Sequence, residues 1–465
     1  MDDALRYADA AELREHYSRG AVSPTEHTRA VLELLDRLQP DLHAFLTVSA
    51  DVALAQASTA DRLIRALGEQ AWHGRPLLGV PVSVKDLTPT AGIRTTRGSV
   101  RLRDWVPDAD APAVARLREA GAVLIGKTTT SEFGWSAGTV NRIAEPAANP
   151  WNLGRSAGGS SGGAAAAVAA GIGVAALGTD GAGSIRVPAA FCGVVGFKPT
   201  FGRVPYVPFS PEGLSHLGPL TRDVATARLV TAVIAGPHPD DPLSVARQPV
   251  PPPSQPPRIA WLHWPGPTTE VAETALAAAR ALEGELTELE LPFPDPHEYL
   301  VTLIAAFEAA GQPLEQDADS DQARRRVVEH GRGLSAADLA HALAARELLR
   351  AEVAELMTRF DLLATPTVAI EPFAVDAWRP DAGADLDWLA WCRAAYPFNL
   401  TGQPAVSVPA GFTAAGHPVG LQLVGRPHED ELVLRAAHRF ELARPWRREY
   451  PRKDQRPRCS TTTTP

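Results

Sequence analysis

Hydrophobic and polar positions repeat along this chain with two different periods, and the change of period separates two regions. Over residues 1–70 the apolar positions recur at helical spacing, and Ser23-Pro24-Thr25-Glu26 is a capping box with proline at the first helical position. Beyond this region, short apolar runs alternate with helical patterns. The short runs are GVPVSVKD (79–86), AVLIG (122–126) and CGVVGF (192–197). Strands that alternate with helices predict an α/β fold.

The alternation continues after a proline-rich stretch, residues 237–257, which predicts a surface connection. Further strands are expected at RIAWLHW (258–264) and ELTELELP (285–292), a closing strand pair at AVSVPAG (405–411) and PVGLQLVGR (418–426), and a last helix at 429–443. Residues 447–465 have little to pack and predict a disordered tail. We therefore expect an N-terminal helical region (1–70), a single large domain (71–446) and the tail.

Composition narrows the class of protein. The 465 residues carry 45 basic and 54 acidic side chains, a net charge of −9, which does not fit a nucleic-acid binder. Cys192, Cys392 and Cys459 are too few for a disulfide framework and favour a reducing compartment. The acidic, amphipathic start, MDDALRYADAAELREH, is not typical of a signal peptide. The sequence therefore predicts a cytoplasmic protein.

Lysine is rare in this chain, since arginine fills nearly every basic position. The four lysines are Lys85, Lys127, Lys198 and Lys453. Lys85 ends the run GVPVSVKD on the face opposite to its valines, and burial can lower the pKa of a lysine several units from about 10.4. Lys85 is therefore a candidate base, and a lysine that reaches solvent from the end of a strand is the alternative interpretation.

Two runs of small residues stand out, GRSAGGSSGGAAAAVAAG (154–171) and GTDGAGSIRVPAAFCG (178–193). The first run is uncharged after Arg155 but too poor in strongly apolar residues for a membrane span, so it predicts a buried helix followed by a strand. In the second run, Ser184 follows Gly-Ala-Gly where a loop is expected to turn into a helix. Consecutive N–H groups in such a turn can bind an oxyanion. Ser184 is thus a candidate nucleophile, and an ordinary Gly/Ser-rich connection is the alternative.

Two motif matches suggest other chemistry. Gly121–Thr128 fits the P-loop pattern, but its middle residues predict a buried strand, so Lys127 is interpreted as structural. Gly158–Gly162 fits the nucleophile elbow of α/β-hydrolases, although the preceding EPAANPWNLGRSA looks like a loop. Histidines downstream keep that hydrolase alternative open. No spacing of histidines and cysteines suggests a metal site, and no cofactor is expected.

Five segments in order resemble the amidase signature family: VPVSVKDL, GAVLIGKTTTSEFG, AGGSSGGAAAAVAAG, GTDGAGSIRVPAAFCGVVGFKPTFGRV and LTGQPAVSVPAGF. The resemblance covers roughly residues 77–442 and makes 71–446 the amidase domain. It implies a central mixed β-sheet flanked by helices on both sides. It also implies a Ser–cis-Ser–Lys triad, whose members match Ser184, Ser160 and Lys85, with a cis peptide bond before Ser160. The implied oxyanion hole consists of the N–H groups of Gly181, Ala182, Gly183 and Ser184.

The implied reaction is cleavage of the C–N bond of a carboxylic amide through an acyl-enzyme on Ser184, giving an acid plus ammonia or an amine. The expected partner is a small-molecule amide, with no nucleic acid or membrane partner and with a homodimer left open. The chain departs from the usual family pattern at Ala182 and Ala164. The effect of an added Cβ in the oxyanion loop therefore stays open.

Two other functions stay open beside the stand-alone amidase. One is the glutaminase component of glutamyl-tRNA amidotransferase, which usually carries Ser-Leu-Asp-Gln ahead of its Gly-Pro; here that stretch is GLSHLGPLTR, which is closer to stand-alone amidases. The other is an inactive, amidase-like binding scaffold, against which the complete set of Lys85, Ser160 and Ser184 argues. The acyl pocket is expected from the divergent middle, about 258–395, and the substrate is not specified by the sequence.

Overall fold

An eleven-stranded mixed β-sheet runs through the computed structural model, which describes residues 1–246, 255–265, 269–311, 321–380, 385–446 and 451. The strands are β1 (Phe45–Val48), β2 (Pro81–Lys85), β3 (Val123–Thr128), β4 (Ala148–Asn149), β5 (Asn152–Ser156), β6 (Ala175–Asp180), β7 (Val195–Lys198), β8 (His216–Thr221), β9 (Arg258–His263), β10 (Glu285–Glu290), β11 (Leu362–Pro366), β12 (Ala405–Phe412) and β13 (Pro418–Val424). Their order in the sheet is β1-β3-β2-β6-β8-β7-β12-β13-β11-β9-β10, and β4 and β5 form a separate hairpin.

Helices pack against both faces of this sheet. They are α1 (Asp3–Arg6), α2 (Ala10–Ser18), α3 (Pro24–Leu42), α4 (Ala50–Leu67), α5 (Pro112–Glu119), α6 (Gly162–Ala169), α7 (Arg186–Cys192), α8 (Val224–Ile234), α9 (Glu270–Ala279), α10 (His297–Gly311), α11 (Gln322–Gly333), α12 (Ala336–Arg359), α13 (Pro397–Leu400) and α14 (Asp430–Ala443). In β6, Ala175 and Leu177 join a core that includes α5 and α8, whereas Ala176 joins a core that includes α3 and α6. This confirms the predicted α/β class.

Three neighbouring strands place polar residues at one edge of the sheet. β2 pairs in parallel with β3 and with β6. Because parallel strands end at the same edge, Lys85 at the end of β2 lies near Asp180 at the end of β6. Ligands of open α/β sheets commonly bind beyond the carboxyl ends of parallel strands. The topology therefore brings two separate motifs of the sequence to one place.

The alanine run forms α6, and every residue of this helix is buried. The helix lies between the sheet and α7, so small side chains allow a close approach on all sides. At Gly163, whose N–H donates to the carbonyl oxygen of Thr129, a Cβ atom would clash with the carbonyl oxygen of Ala44. The predicted buried helix and the strand β6 after it are confirmed. No described helix is long and apolar enough to cross a membrane.

Several local expectations differ from the structure. Residues 1–70 are not only helical, because β1 pairs antiparallel with β3 at the sheet edge. The stretch before the GGSSG motif is not simply a loop, because β4 and β5 form a hairpin there. The closing strand pair, β12 and β13, lies inside the sheet between β7 and β11. Part of the proline-rich connection (247–254) and nearly all of the predicted tail (447–450 and 452–465) lie outside the described residues.

We predict that Gly163→Ala lowers the free energy of unfolding by about 1–3 kcal/mol, because overpacking a buried contact forces the backbone to shift. A Cβ atom at this position would lie 2.5 Å from the backbone nitrogen of Thr129. Gly333→Ala is the control, since a Cβ there meets nothing within 4 Å. Chemical denaturation of both variants measures the difference, and equal stability of the two would contradict the close packing of α6.

Candidate active site

Lys85 lies at the carboxyl end of β2 and is completely buried. Its Nζ is 2.7 Å from Ser160 Oγ and also donates to Thr179, at 2.7 Å to Oγ1 and at 3.4 Å to the carbonyl oxygen. These neighbours are uncharged, and no ion pair joins Lys85 to a carboxylate among the described residues. The alternative of a strand-end lysine that reaches solvent is wrong.

Burial lowers the pKa of Lys85 well below its usual value, and the charge of Asp180 acts in the opposite direction without reversing the shift. The physical reason is that a buried ammonium group loses its hydration, which disfavours the charged form. An uncharged amine has a lone pair that can accept a proton. Lys85 therefore has the electrostatic setting that a lysine base requires.

The adjacent serines of the GGSSG motif have different surroundings. The Gly159–Ser160 peptide bond is cis, as the resemblance implies, and Ser160 Oγ contacts Lys85. Ser161 instead donates from its Oγ to the carbonyl oxygen of Thr179 at 3.2 Å, and its N–H donates to the carbonyl oxygen of Ser184 at 3.1 Å. The strand before this motif, β5, lies outside the central sheet, which removes the structural context of a nucleophile elbow.

Ser184 and Ser160 line one cavity of about 420 Å³. Ser184 lies just before α7, where the sequence predicts that a loop turns into a helix. Ser161 ties the backbone of Ser184 to the GGSSG loop through the N–H contact described above. Among the described residues no hydrogen bond joins Ser160 to Ser184, so the structure brings Lys85 and Ser160 into direct contact and places Ser184 on the same cavity.

One of the four N–H groups expected to bind an oxyanion is used elsewhere. The N–H of Gly183 donates to Asp180 Oδ1 at 2.7 Å, so the expectation for Gly183 requires correction. Gly183 has φ +115°, and a Cβ there would lie 2.9 Å from that of Ala395, so glycine shapes the turn. Gly181 and Ala182 line the cavity, and Ala182 is not among the residues with positive φ. The added Cβ of Ala182 packs against the core.

The sequence matches the family described as Amidase over residues 26–434. The chain belongs to the amidase family. It is 36% identical over 468 residues to an acylamidase of Rhodococcus erythropolis, covering 95% of this chain and 96% of that one. It is also 36% identical over 478 residues to the glutaminase component of the glutamyl-tRNA(Gln) amidotransferase of Geobacter metallireducens, covering 94% of this chain and 97% of the relative.

A solved structure of 6-aminohexanoate cyclic dimer hydrolase is similar to this amidase along nearly its whole length. The TM-score is 0.85 at 28% sequence identity, and the match covers 96% of this chain and 99% of the other. The central mixed sheet flanked by helices, which the sequence resemblance implied, is therefore confirmed as the amidase fold. The similarity to an acylamidase and to a hydrolase also supports classifying this chain as an amidohydrolase.

Sequence reasoning missed the buried ion pair that supports the loop before Ser184 in this amidase. Asp180 and Arg186 are both fully buried, and their side chains meet at 2.9 Å through two separate hydrogen bonds. Arg186 also donates to Gln422 Oε1 at 2.7 Å and to Asn399 Oδ1 at 2.6 Å. Two unlike charges six residues apart in an otherwise apolar run were the available signal. The distant partners, Asn399 and Gln422, had no local signal.

Burial alone raises the pKa of Asp180, but the charge and hydrogen bonds of Arg186 outweigh it, and the pKa is well below its usual range. The carboxylate is therefore charged near neutral pH. It holds the N–H of Gly183 and, at 3.2 Å, that of Ile185. The two residues that flank Ser184 are thus fixed by one side chain.

Other predicted features have simpler outcomes. Lys127 lies in β3 and donates to Thr90 Oγ1 and Thr95 Oγ1, both at 2.9 Å, so the structural interpretation is confirmed and the P-loop is excluded. Among the described residues, no group of three or more histidine, cysteine or acidic side chains is arranged to hold a metal ion.

The cavity wall comes from both halves of the chain. The predicted region 258–395 contributes Ile304, Phe307 and Leu389, but Leu87, Phe133 and Trp135 come from the first half. The expectation that the divergent middle builds the pocket is therefore only half of the account. An apolar cavity of this kind suits a substrate with a hydrocarbon part.

We predict that Arg186→Met lowers the free energy of unfolding at pH 7 by about 3–5 kcal/mol, because it leaves the Asp180 carboxylate buried without its partner. In the wild type, the depressed pKa gives stability above the unfolded pKa of about 3.9, which is lost as the pH falls. In the variant, burial favours protonation, so the difference between the two proteins should shrink towards acidic pH.

Arg228→Met is the control, because Arg228 pairs with Glu431 at the surface and is 57% exposed. Such an exposed pair contributes at most about 1 kcal/mol. Denaturation of both variants from pH 7 to pH 4 checks the prediction. A difference for Arg186→Met that is small, or that does not change with pH, would contradict it.

Proposed function

We propose that this amidase hydrolyses a small carboxylic amide to an acid plus ammonia or an amine, with Ser184 as nucleophile, Ser160 as proton relay and Lys85 as base. The observation that carries the proposal is the buried, uncharged setting of Lys85 within 2.7 Å of Ser160 Oγ, at the cavity that Ser184 lines. A serine nucleophile needs a base, and Lys85 is the group beside this cavity whose surroundings favour the neutral form.

The hydrogen bonds of Lys85 indicate the direction of proton transfer. A neutral amine has two N–H groups and one lone pair. Thr179 offers two acceptors, its hydroxyl and its carbonyl oxygen, for the N–H groups. The lone pair is then directed to the remaining neighbour, Ser160, whose hydroxyl proton it can take. Ser160 in turn takes the proton of Ser184, so the base is Lys85 although Ser160 stands between.

The rest of the reaction follows from this transfer. Ser184 Oγ attacks the amide carbon, and the oxyanion is held by the N–H groups of Gly181, Ala182 and Ser184. The proton on Lys85 returns through Ser160 to the departing nitrogen as the C–N bond breaks. Water then attacks the acyl-enzyme by the same relay, which releases the acid and restores the Ser184 hydroxyl. None of these steps uses a metal ion or a nucleotide.

The stand-alone amidase is favoured over the amidotransferase glutaminase. The residue after Ser215 is His216, which packs inside the protein with Nδ1 2.7 Å from the carbonyl oxygen of Leu214, rather than forming part of the usual glutaminase motif. The acylamidase relative supports an apolar acyl group, in agreement with the cavity wall. We also propose a cytoplasmic location, which the free, buried thiols of Cys192 and Cys392 support. The homodimer stays an untested prediction.

A serine-directed fluorophosphonate should add one covalent tag, mapped by peptide mass spectrometry to Ser184. The purified protein without a partner should then hydrolyse simple aliphatic or aryl amides, and labelling should abolish that activity. Hydrolysis of glutamine alone would instead favour the amidotransferase component. If the tag is found on Ser160 or Ser161, or if there is no tag and no turnover of any amide, the proposal is contradicted.

Ser160→Ala should leave the protein folded but reduce kcat by a factor of about 100 or more, because proton transfer through a positioned group supplies about 10²–10⁴ in rate. Ser161→Ala is the matched control, since its hydroxyl contacts Thr179 rather than Lys85. Turnover and thermal melting of both variants are the measurements. A folded Ser160→Ala enzyme within a few-fold of wild type would rule out the relay.

A further inference from the structure

Two arginines in the wall of the catalytic cavity have no acidic partner. Arg97 and Arg101 both line the cavity that holds Ser184. The Nε of Arg97 and the Nη1 of Arg101 are buried without a hydrogen-bond partner. No ion pair joins either side chain to a carboxylate of the described residues, whereas a third arginine of the wall, Arg324, is paired with Glu308. Buried donors without acceptors are costly, so their presence at a binding cavity requires an explanation.

Aromatic rings hold both guanidinium groups in place. Arg97 lies 5.4 Å from the ring centre of Trp105, and Arg101 lies 6.0 Å from that of Phe133. Such stacking orients the plane of a guanidinium group while its N–H groups stay available at the edge. The two side chains are therefore positioned to donate hydrogen bonds without being neutralised.

The backbone gives a second, independent observation. Arg97 has φ +52° and Phe133 has φ +49°, and the N–H of Phe133 donates to the carbonyl oxygen of Arg97 at 2.8 Å. Side chains other than glycine, asparagine or aspartate rarely adopt this conformation, and they do so most often at functional sites. The two residues with this unfavourable backbone are neighbours, and both line the same cavity. An arginine kept at such a position is consistent with a side chain that is used.

The acidic residues of the wall do not cancel these charges. Glu308 is bound to Arg324, and Glu212 accepts hydrogen bonds from Ser210 and, at 3.0 Å, from Ser215. Asp86, behind Arg97, accepts at 2.8 Å from the N–H of Thr96. Near Arg97 the wall continues into a second cavity of about 210 Å³, which Tyr206 and Phe209 also line. A substrate longer than a simple amide therefore has room to reach the arginine pair.

Resting on the proposed function, we infer that Arg97 and Arg101 form an anion-binding subsite, and that the substrate is an amide that also carries a carboxylate. Arginine is suited to this ligand, because its fixed fork of donors matches a carboxylate. The carboxylate can belong to the acyl part or to the amine part of the amide. In either case the arginine pair sets specificity, and Ser184 performs the same chemistry on neutral and anionic amides.

The test compares neutral and anionic substrates of matched size. Glutaramide and glutaramate differ by a carboxylate on the acyl part, and N-acetylpropylamine and N-acetyl-β-alanine differ by one on the amine part. Wild-type kcat/KM should be about tenfold or more higher for the anionic member of one pair, since hydrogen bonds to a charged group are worth about 1.5–3 kcal/mol each. The pair that shows the preference identifies which part of the substrate carries the carboxylate.

Arg97→Asn and Arg101→Gln should each reduce this preference mainly through KM, while turnover of the neutral amide changes less than threefold. Asparagine is chosen at position 97 because it tolerates positive φ, so the fold is kept. Arg97→Lys should restore part of the preference. Arg103→Gln, at an exposed neighbouring position, is the control and should leave it unchanged.

The outcomes separate this inference from the proposed function. Turnover of neutral amides, with no preference for either anionic substrate, would overturn the subsite and leave the proposed chemistry intact. A preference that survives both Arg97→Asn and Arg101→Gln would overturn it as well. Absence of turnover on all four substrates, together with no labelling of Ser184, would instead contradict the proposed function.

Discussion

The buried ion pair between Asp180 and Arg186 is the constraint on which the site depends. It joins the end of β6 to the start of α7, and the loop between them carries Ser184. Arg186 reaches Gln422 in β13, and Asn399 in α13 donates to Asp180 at 2.9 Å. Buried charges are tolerated when they are paired and their remaining hydrogen bonds are satisfied. Here that requirement connects the loop to the middle of the sheet.

Burial has opposite uses at the two ends of this site. At Asp180 a matching arginine keeps the carboxylate charged, whereas at Lys85 no counter-ion is in contact and the amine is driven towards its neutral form. The two residues end neighbouring strands, so one sheet edge provides a fixed negative charge and an uncharged base. Separate environments for nearby titratable groups are a common way for a protein to assign distinct roles to them.

Small residues make these short distances possible. α6 presents alanine and glycine to the sheet, so the GGSSG loop at its start comes close to β2 and β6. Larger side chains along this helix would move Ser160 away from Lys85. The cavity, by contrast, is built from bulky aromatic and aliphatic groups and from arginines that lie on other segments. The proton-transfer groups are thus set by tight backbone packing, and the substrate-facing wall by side chains that can vary independently.

The sequence by itself determined the α/β class, most strands and helices, and the identity of Lys85, Ser160 and Ser184 as the candidate set, because periodicity and motif order are local properties. It missed β1 and the β4–β5 hairpin, since these strands are short. Only the tertiary structure decided that Gly183 is held by Asp180, that Asn399 and Gln422 support the loop, and that the arginines at 97 and 101 face the cavity. Those facts depend on contacts between residues far apart in the chain, which leave no pattern in a local stretch of sequence.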